Sequence, residues 1–276
     1  MRVILFIIAL QLISFSIVGQ ANINYKKNSL QGLDDEVRSR NLQERNLLSW
    51  EPIRENDVVW KKTVWRVIDV RQKMNHHFSY PVRPFVNILL DAVKGGEVLA
   101  FTGDDFNEVY ANQDIAEKIS SIDTIEVLDP YTYDLDTAIV HNNLDPDDIK
   151  RYRIKEIWYF DKETSTLKVR IVGLAPLRDI SDSHGNFIAE EPLFWLYYPD
   201  AREYLSMERA FVVGNEAAQT SWEDILEMRL FDGFIYKESS VRDLRLKDYL
   251  SGTDLLLESE RIENSLFNYE QDLWSR

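Results

Sequence analysis

A hairpin-like segment in the middle of the chain restricts the fold more than any other feature of the sequence. Two strand-like runs, 153–160 and 167–172, are rich in β-branched and aromatic residues and flank the turn sequence DKETS. Such runs joined by a short polar turn predict an antiparallel β-hairpin. The aromatic run PLFWLYY at 192–198 predicts a further strand. We therefore expect an antiparallel sheet, because a doubly wound parallel sheet would need strands and helices in regular alternation.

Two other segments share a helix–turn–strand pattern. In the first, a run at helical spacing ends at Gly95-Gly96, and a strand is predicted over 97–101. In the second, Ser221 is a predicted N-cap with Asp224 at the capping-box position, and a strand is predicted over 234–237. The apolar residues correspond as Phe85 with Trp222, Ile88 with Ile225, and Leu89 with Leu226. The pattern indicates either two related halves or the chance similarity of two amphipathic helices.

These elements together predict an α+β fold with mixed or antiparallel sheets and packed helices. The first core strand is predicted over 58–70, and a C-terminal helix over 253–274. We accordingly divide the mature chain into an N-terminal arm at 21–56, an α+β core at 57–250 and a helical tail at 251–276. The arm is expected to be extended or loosely helical.

The first twenty residues, MRVILFIIALQLISFSIVGQ, carry one basic residue followed by two apolar stretches. This layout is typical of a secretory signal peptide, and we expect cleavage near Gln20. The alternative is a membrane-anchoring helix, but Gln11, Ser14 and Ser16 interrupt the apolar run. The protein is thus expected to be exported to the periplasm without a direct membrane anchor.

Charge and cysteine content exclude several classes of function. The formal net charge is −15, so nucleic acid would be repelled and no nucleic-acid partner is expected. The chain contains no cysteine, which excludes disulfides, thiolate metal sites and a cysteine nucleophile. With 45% hydrophobic residues, however, the chain is too apolar to be disordered.

The sequence contains none of the common catalytic motifs. Phosphate-binding, dinucleotide-binding, nucleophile-elbow and zinc-protease patterns are all missing. The adjacent pair His76-His77 is poorly placed to chelate one metal ion, since neighbouring side chains point in different directions. Two acidic loops, 129–136 and 179–190, resemble calcium loops, but His184 stands where the second would need glycine. We therefore predict no enzyme activity and no catalytic, cofactor or metal site.

Four longer strings resemble one family, the gliding-motility proteins GldN, called PorN in non-gliding relatives. The resemblance runs from about Trp60 to Lys237 and is weaker at both ends of the chain. The strings are WRVIDVRQKMNHHFSYP, RYRIKEIWYFDKETSTLKVRIVGLAP, PLFWLYYPDAR and SWEDILEMRLFDGFIYKES.

This resemblance implies a periplasmic structural subunit of the type IX secretion machinery of Bacteroidota. Its implied partners are an outer-membrane lipoprotein of the GldK/PorK type, the motor complex of the GldL and GldM/PorM type, and further copies of itself in a ring beneath the outer membrane. The alternative is a periplasmic enzyme or ligand-binding protein with an unrecognised pocket.

A ring subunit needs exposed anchor residues, and aromatic side chains are effective anchors. We predict Trp195, Tyr197 and Tyr198 as candidate protein-interface residues. Since alternate residues of a strand face opposite sides, either Trp195 and Tyr197 or Phe194 and Leu196 would face outward. The alternative is that both sides of this strand are buried within one domain.

Overall fold

Antiparallel strands dominate the chain, as the hairpin predicted. The computed structural model describes residues 47–128, 135–181, 187–212, 214 and 219–274. In these residues seven strands form one sheet and two form another. The strands are β1 (Val58–Asp69), β2 (Ala100–Phe101), β3 (Ser120–Leu128), β4 (Leu135–Asn143), β5 (Arg151–Asp161), β6 (Thr166–Ser181), β7 (Phe187–Pro192), β8 (Trp195–Tyr197) and β9 (Phe234–Glu238).

Helices connect the strands and close the chain, which confirms the predicted α+β fold class. The last helix has the predicted bounds, 253–274. Short 3₁₀ turns also occur, among them Lys73–Ser79 after β1. The α-helices are α1 (Phe85–Lys94), α2 (Asn112–Ile119), α3 (Tyr198–Met207), α4 (Trp222–Glu227) and α5 (Thr253–Trp274).

The strand order of the large sheet is symmetric about its central hairpin. It reads β2-β8-β6-β5-β1-β9, with β7 also paired to β6, and every pairing is antiparallel. The order is the same when read from either edge: β2 corresponds to β9, β8 to β1, and β6 to β5. The two predicted helix–turn–strand segments therefore end at equivalent positions on opposite edges of the sheet.

The largest part of the core lies between one face of the sheet and helices α1, α3 and α4. Phe85 of α1 stacks on Trp222 of α4 with ring centroids 4.1 Å apart, and Phe78 contacts both rings. Tyr152 of β5 closes the group from the sheet side. Trp222 is the first residue of a helix whose capping box, Ser221 with Asp224, is formed as predicted. Aromatic residues that the sequence spaces far apart thus meet at the centre of the core.

Helix α5 covers the other end of the same sheet face. Its residues Ile262 and Leu266 are buried, and its Ser259 hydroxyl accepts a hydrogen bond of 2.9 Å from the Ile235 amide of β9. Near the end of the helix, Tyr269 stacks on Trp60 of β1 at 4.3 Å. The predicted tail is therefore packed against the core, because its apolar stripe needs the sheet to exclude water.

Two predicted strands differ in extent from the observed ones. The run 97–101 forms a strand only at Ala100–Phe101, since the chain turns at Gly96, where φ is 75°. The run 192–198 pairs only at Trp195–Tyr197, because Tyr198 already begins α3. The hairpin of β3 and β4 was not predicted at all. The described part of the predicted arm, 47–56, has no regular secondary structure before the 3₁₀ turn at Glu55–Asp57, whereas 21–46 and the predicted signal peptide lie outside the described residues.

Candidate interaction surfaces

The three predicted interface residues lie mostly inside the protein. Trp195 is 4% exposed and Tyr198 is fully buried, so neither can contact a partner while the chain is folded this way. Tyr197 is half-buried and packs edge-to-face on Phe106 at 5.3 Å. Both sides of β8 are covered by other parts of the chain, as in the alternative that both sides of this strand are buried within one domain. Placing Trp195 and Tyr198 at a surface was wrong; Tyr197 stays a candidate.

Trp195 belongs to a small aromatic cluster on the second face of the sheet. It packs with Trp65 of β1 and Ala175 of β6, and Phe101, Phe106 and Tyr236 surround them. The connection between β2 and α2, at 102–109, covers part of this cluster. Asp104 in this connection accepts a hydrogen bond of 2.7 Å from the Trp65 indole nitrogen. The second face is therefore aromatic but only partly sheltered from water.

Close packing of the connection depends on a glycine. A Cβ at Gly173 of β6 would lie 2.7 Å from Cζ of Phe106 and 3.3 Å from the Trp195 ring. Phe106 itself has φ of 57°, which holds its ring against the strand. Any larger residue at position 173 would push the connection away from the sheet, since contacts this short are repulsive.

Cations gather around the same cluster. Lys155 of β5 lies 5.4 Å from the Trp65 ring centroid, and Lys237 of β9 lies 4.5 Å from it. Arg153 lies over the Tyr236 ring at 5.0 Å. Cations at such distances are attracted to the face of an aromatic ring. Both lysines are also ion-paired, Lys155 with Asp104 at 3.5 Å and Lys237 with Asp243 at 2.8 Å.

The end of the N-terminal arm is held to the core by Trp50. Its ring lies 4.4 Å from the Arg202 guanidinium and 4.9 Å from that of Arg170. Its indole nitrogen donates a hydrogen bond of 3.3 Å to Glu227. The two arginines also donate to backbone oxygens of the arm, at Leu48 and Glu51. A single aromatic side chain thus sets where the arm lies on the core.

Replacing Trp50 by Ala is expected to lower the free energy of unfolding by about 1–2 kcal/mol, because two cation–π contacts and one hydrogen bond are lost. Urea unfolding measures the change, and limited proteolysis should cut earlier within the arm. Leu48→Ala is the matched control, because that side chain is 84% exposed and its backbone contact is retained. Equal stability of the wild type and the Trp50 variant would show that the arm is not held by this residue.

A buried network of charges joins the sheet to α5. Glu156 of β5 is fully buried and lies 2.9 Å from an Arg229 nitrogen and 3.6 Å from Nε of Arg66. It also accepts a hydrogen bond of 3.0 Å from the Trp158 indole. Arg66 in turn pairs with Glu263 of α5 at 2.9 Å. The network contains two arginines and two glutamates, so its formal charges balance.

A buried histidine lies beside the aromatic core. His77 contacts Trp222 with ring centroids 5.7 Å apart, and its Nε2 has no hydrogen-bond partner in the described residues. Burial lowers the pKa of His77 to about 4, because the charged form would lose its water. His77 is therefore neutral in the folded protein at physiological pH.

His77 should make stability fall with acid. The unfolded chain takes up this proton near pH 6.5 and the folded chain only near pH 4, so the stabilisation is complete above pH 6.5 and is lost as pH falls to about 4. We expect a loss of roughly 2 kcal/mol from this group. Thermal melting of the wild type and His77→Leu at several pH values measures the difference. The exposed neighbour His76 is the control, and the His76→Gln variant should lose as much stability in acid as the wild type does. If the His77→Leu variant also lost that much, His77 would not be the group responsible.

Exposed apolar residues concentrate between β9 and α5. Val241, Leu244 and Tyr249 are exposed and help to line a surface cavity of about 350 Å³. Leu256 and Leu257, near the start of α5, are also exposed. Exposed apolar patches are typical of protein interaction surfaces. This region, like β7 with its exposed Phe187 and Ile188, is a further candidate contact surface that the sequence analysis did not identify.

The described residues contain no group of three or more His, Asp or Glu side chains that could hold a metal ion. Parts of both calcium-like loops, at 129–134 and 182–186, lie outside those residues. The strongly lowered pKa of the Asp69 carboxyl has a structural cause, since Arg71 donates hydrogen bonds to it. Among the helices described, none is long and apolar enough to span a membrane.

Comparison with known proteins identifies one family. A family model described as "Gliding motility associated protein GldN" matches residues 53–275. The match begins just after Trp50 and reaches the end of α5. No curated protein matches the chain.

Proposed function

Because this chain belongs to the GldN family of gliding-motility-associated proteins, we propose that it is a structural subunit of the periplasmic ring of the type IX secretion and gliding-motility machinery. In this role it assembles with a GldK/PorK-like outer-membrane lipoprotein and couples to the periplasmic part of a GldM/PorM-like motor complex. It acts in the periplasm as a scaffold and catalyses no reaction. The family match over 53–275 is the observation that carries the proposal.

The distribution of charged groups supports a scaffold role. The buried carboxylate Glu156 is neutralised by arginines, and Arg202 is paired with Glu223 at 2.7 Å. An active site normally keeps a titratable group available at the wall of a deep pocket. The 350 Å³ cavity is instead an open surface feature beside exposed apolar residues.

The packing of distant chain segments also supports this role. The C-terminal helix contacts β1 through Arg66 and Glu263, and the arm contacts β6 through Glu51 and Arg170. A subunit that transmits force through a ring needs such cross-connections, since segments held only by local contacts would separate under load.

Co-purification of the protein lacking residues 1–20 with the soluble part of its lipoprotein partner tests the proposal. Size-exclusion chromatography with light scattering should give stable large hetero-oligomers. A protein that stays monomeric and ignores the lipoprotein would overturn the proposal. The alternative, ligand binding, would then be pursued first at the cavity beside Val241.

A further inference from the structure

An open apolar cavity lies beside β9, at the turn that follows this strand. Val241, Leu244 and Tyr249 supply its apolar wall, and its volume is about 350 Å³. Since a cavity of about 150 Å³ holds a benzene ring, this one has room for an aromatic ring and a second apolar side chain. Exposed apolar surface of this kind gains free energy when another side chain removes it from water. The cavity can therefore receive a pair of apolar side chains.

The charge left at the wall of this cavity is positive. Two charged residues line it, Glu238 and Arg242. Glu238 pairs with Lys62 at 2.6 Å, whereas Arg242 is exposed and its side chain forms no ion pair with any residue that the structure describes. A carboxylate that arrives together with apolar side chains would therefore meet a cation at the cavity wall.

An exposed apolar pair of this kind lies at the start of β7. Phe187 and Ile188 are 60% and 62% exposed, and the register with β6 shifts here, so a bulge interrupts the regular pairing. Among the described strands, only β6 pairs with β7. Further along β7, Glu190 pairs with Arg151, whereas Glu191 is exposed and forms no ion pair within the described residues. We call Phe187, Ile188 and Glu191 the β7 knob.

The β7 knob and the cavity lie far apart within one chain. Three strands, β6, β5 and β1, separate β7 from β9. Four spacings of about 4.8 Å place β7 and β9 about 19 Å apart across the sheet. A chain therefore cannot fill its own cavity with its own knob, but a second copy can.

We infer that the β7 knob of one copy docks in the apolar cavity of the next copy. Phe187 and Ile188 enter the cavity, and Glu191 pairs with Arg242 at its wall. Ile188 and Glu191 are three residues apart, about 10 Å in a strand, so both contacts can form together. The buried apolar pair supplies most of the affinity, and the exposed ion pair sets the orientation.

This contact rests on the proposed ring role and names the surfaces that build the ring. The two surfaces differ, so each copy offers its knob to one neighbour and its cavity to another. Such a head-to-tail contact closes into a ring when the rotation between neighbours divides a full turn. Pairing of two identical surfaces would instead stop at a dimer.

Ile188→Asp and Leu244→Asp test the apolar half of the contact. Each change should weaken self-association of the protein lacking residues 1–20 at least about tenfold, since a carboxylate would have to be buried in the cavity. The Ile188 variant should melt as the wild type does, because that side chain is 62% exposed in the single chain. Light scattering over a concentration series and thermal melting measure the two effects. Val82→Asp is the control, with a side chain 80% exposed, and self-association of the Ile188 variant at the strength of this control would overturn the inference.

Charge exchange tests the ion pair. Glu191→Arg and Arg242→Glu should each weaken self-association roughly fivefold, because like charges then face each other across the contact. A chain that carries both changes should regain the association of the wild type. Glu97→Arg and Lys94→Glu make the same changes at exposed positions outside the two surfaces, and both should associate normally. Equal losses in the double variant and the single variants would show that these two residues do not meet.

Cross-linking shows which surfaces meet. The chain has no cysteine, so Glu191→Cys and Arg242→Cys can be introduced in separate chains without background. Within the hetero-oligomer formed with the lipoprotein, a short bis-maleimide should join the two kinds of chain and should not join two chains of the same kind. Links between chains of the same kind would indicate a two-fold contact and overturn the inference.

The same experiment separates this inference from the proposed function. If position 191 is joined only to the lipoprotein and never to position 242 of a second copy, the inference fails although the proposed function stands. If the link between 191 and 242 forms but the wild type does not capture the lipoprotein, the contact between copies is supported and the proposed function is contradicted.

Discussion

Replacing Glu156 by Gln is expected to lower the free energy of unfolding by about 3–5 kcal/mol, because the change leaves Arg229 without its carboxylate partner and Arg66 with only Glu263. Arg66 and Arg229 both approach the same carboxylate oxygen, and the glutamate side chain is fully buried. Urea unfolding followed by tryptophan fluorescence measures the loss. The transition should also expose α5 to proteolysis, because Arg66 links the network to Glu263.

Two further variants define what the Glu156 result means. Glu258→Gln removes a half-buried carboxylate that pairs with the exposed Arg261, so its effect should stay within about 1 kcal/mol. Replacing Glu156, Arg66 and Arg229 together by apolar residues of similar size should restore much of the stability, since only Glu263, whose side chain is partly exposed to water, then loses a partner. A small effect of Glu156→Gln alone would mean that water reaches the network.

Replacing both Trp195 and Tyr197 by Ala is expected to destabilise the protein by about 3–5 kcal/mol, most of it from Trp195. Trp195 is 4% exposed and packs on Trp65 and Ala175, so its removal leaves a cavity that the rigid sheet cannot fill. Thermal melting measures this loss. Capture by the lipoprotein should fall only at temperatures where the variant unfolds.

The single variants separate folding from binding at this strand. Trp195→Ala should account for the lowered melting temperature, and Tyr197→Ala should have the smaller effect because its side chain is half-buried. Phe187→Ala on β7 is the control for an exposed aromatic residue, since its side chain is 60% exposed. Unchanged melting with lost capture would instead restore β8 as a partner surface.

The two largest expected losses of stability concern Glu156 and Trp195, and neither side chain's buried position can be inferred from its neighbours in the sequence. Trp195 looked like an exposed anchor because it lies in a strongly aromatic run, and aromatic residues serve interfaces and cores alike. Its burial depends on β1, on β6 and on β2 with the connection at 102–109 that follows it, which come from three separate parts of the chain. The exposed candidate contact surfaces are instead the residues near Val241 and strand β7 with Phe187 and Ile188.

Local patterns determined much of the secondary structure. The hairpin around DKETS became β5 and β6, the capping box at Ser221 formed, and the final helix begins and ends at the predicted residues. These features depend on neighbours a few residues apart: turn chemistry, capping hydrogen bonds and helical periodicity. The family followed from longer strings in the same way, and the match over 53–275 confirms it.

Only the tertiary structure decided which surfaces face water and which charges are paired. Arg66 and Glu263 are far apart in the sequence, and nothing local to either indicates their contact. The same holds for Trp50 with Arg202. Burial and ion pairing are properties of long-range contacts, since they depend on what the folded chain brings within a few ångströms. The sequence therefore determined the elements and the family, and the packing of those elements decided which side chains are exposed and which charges are paired.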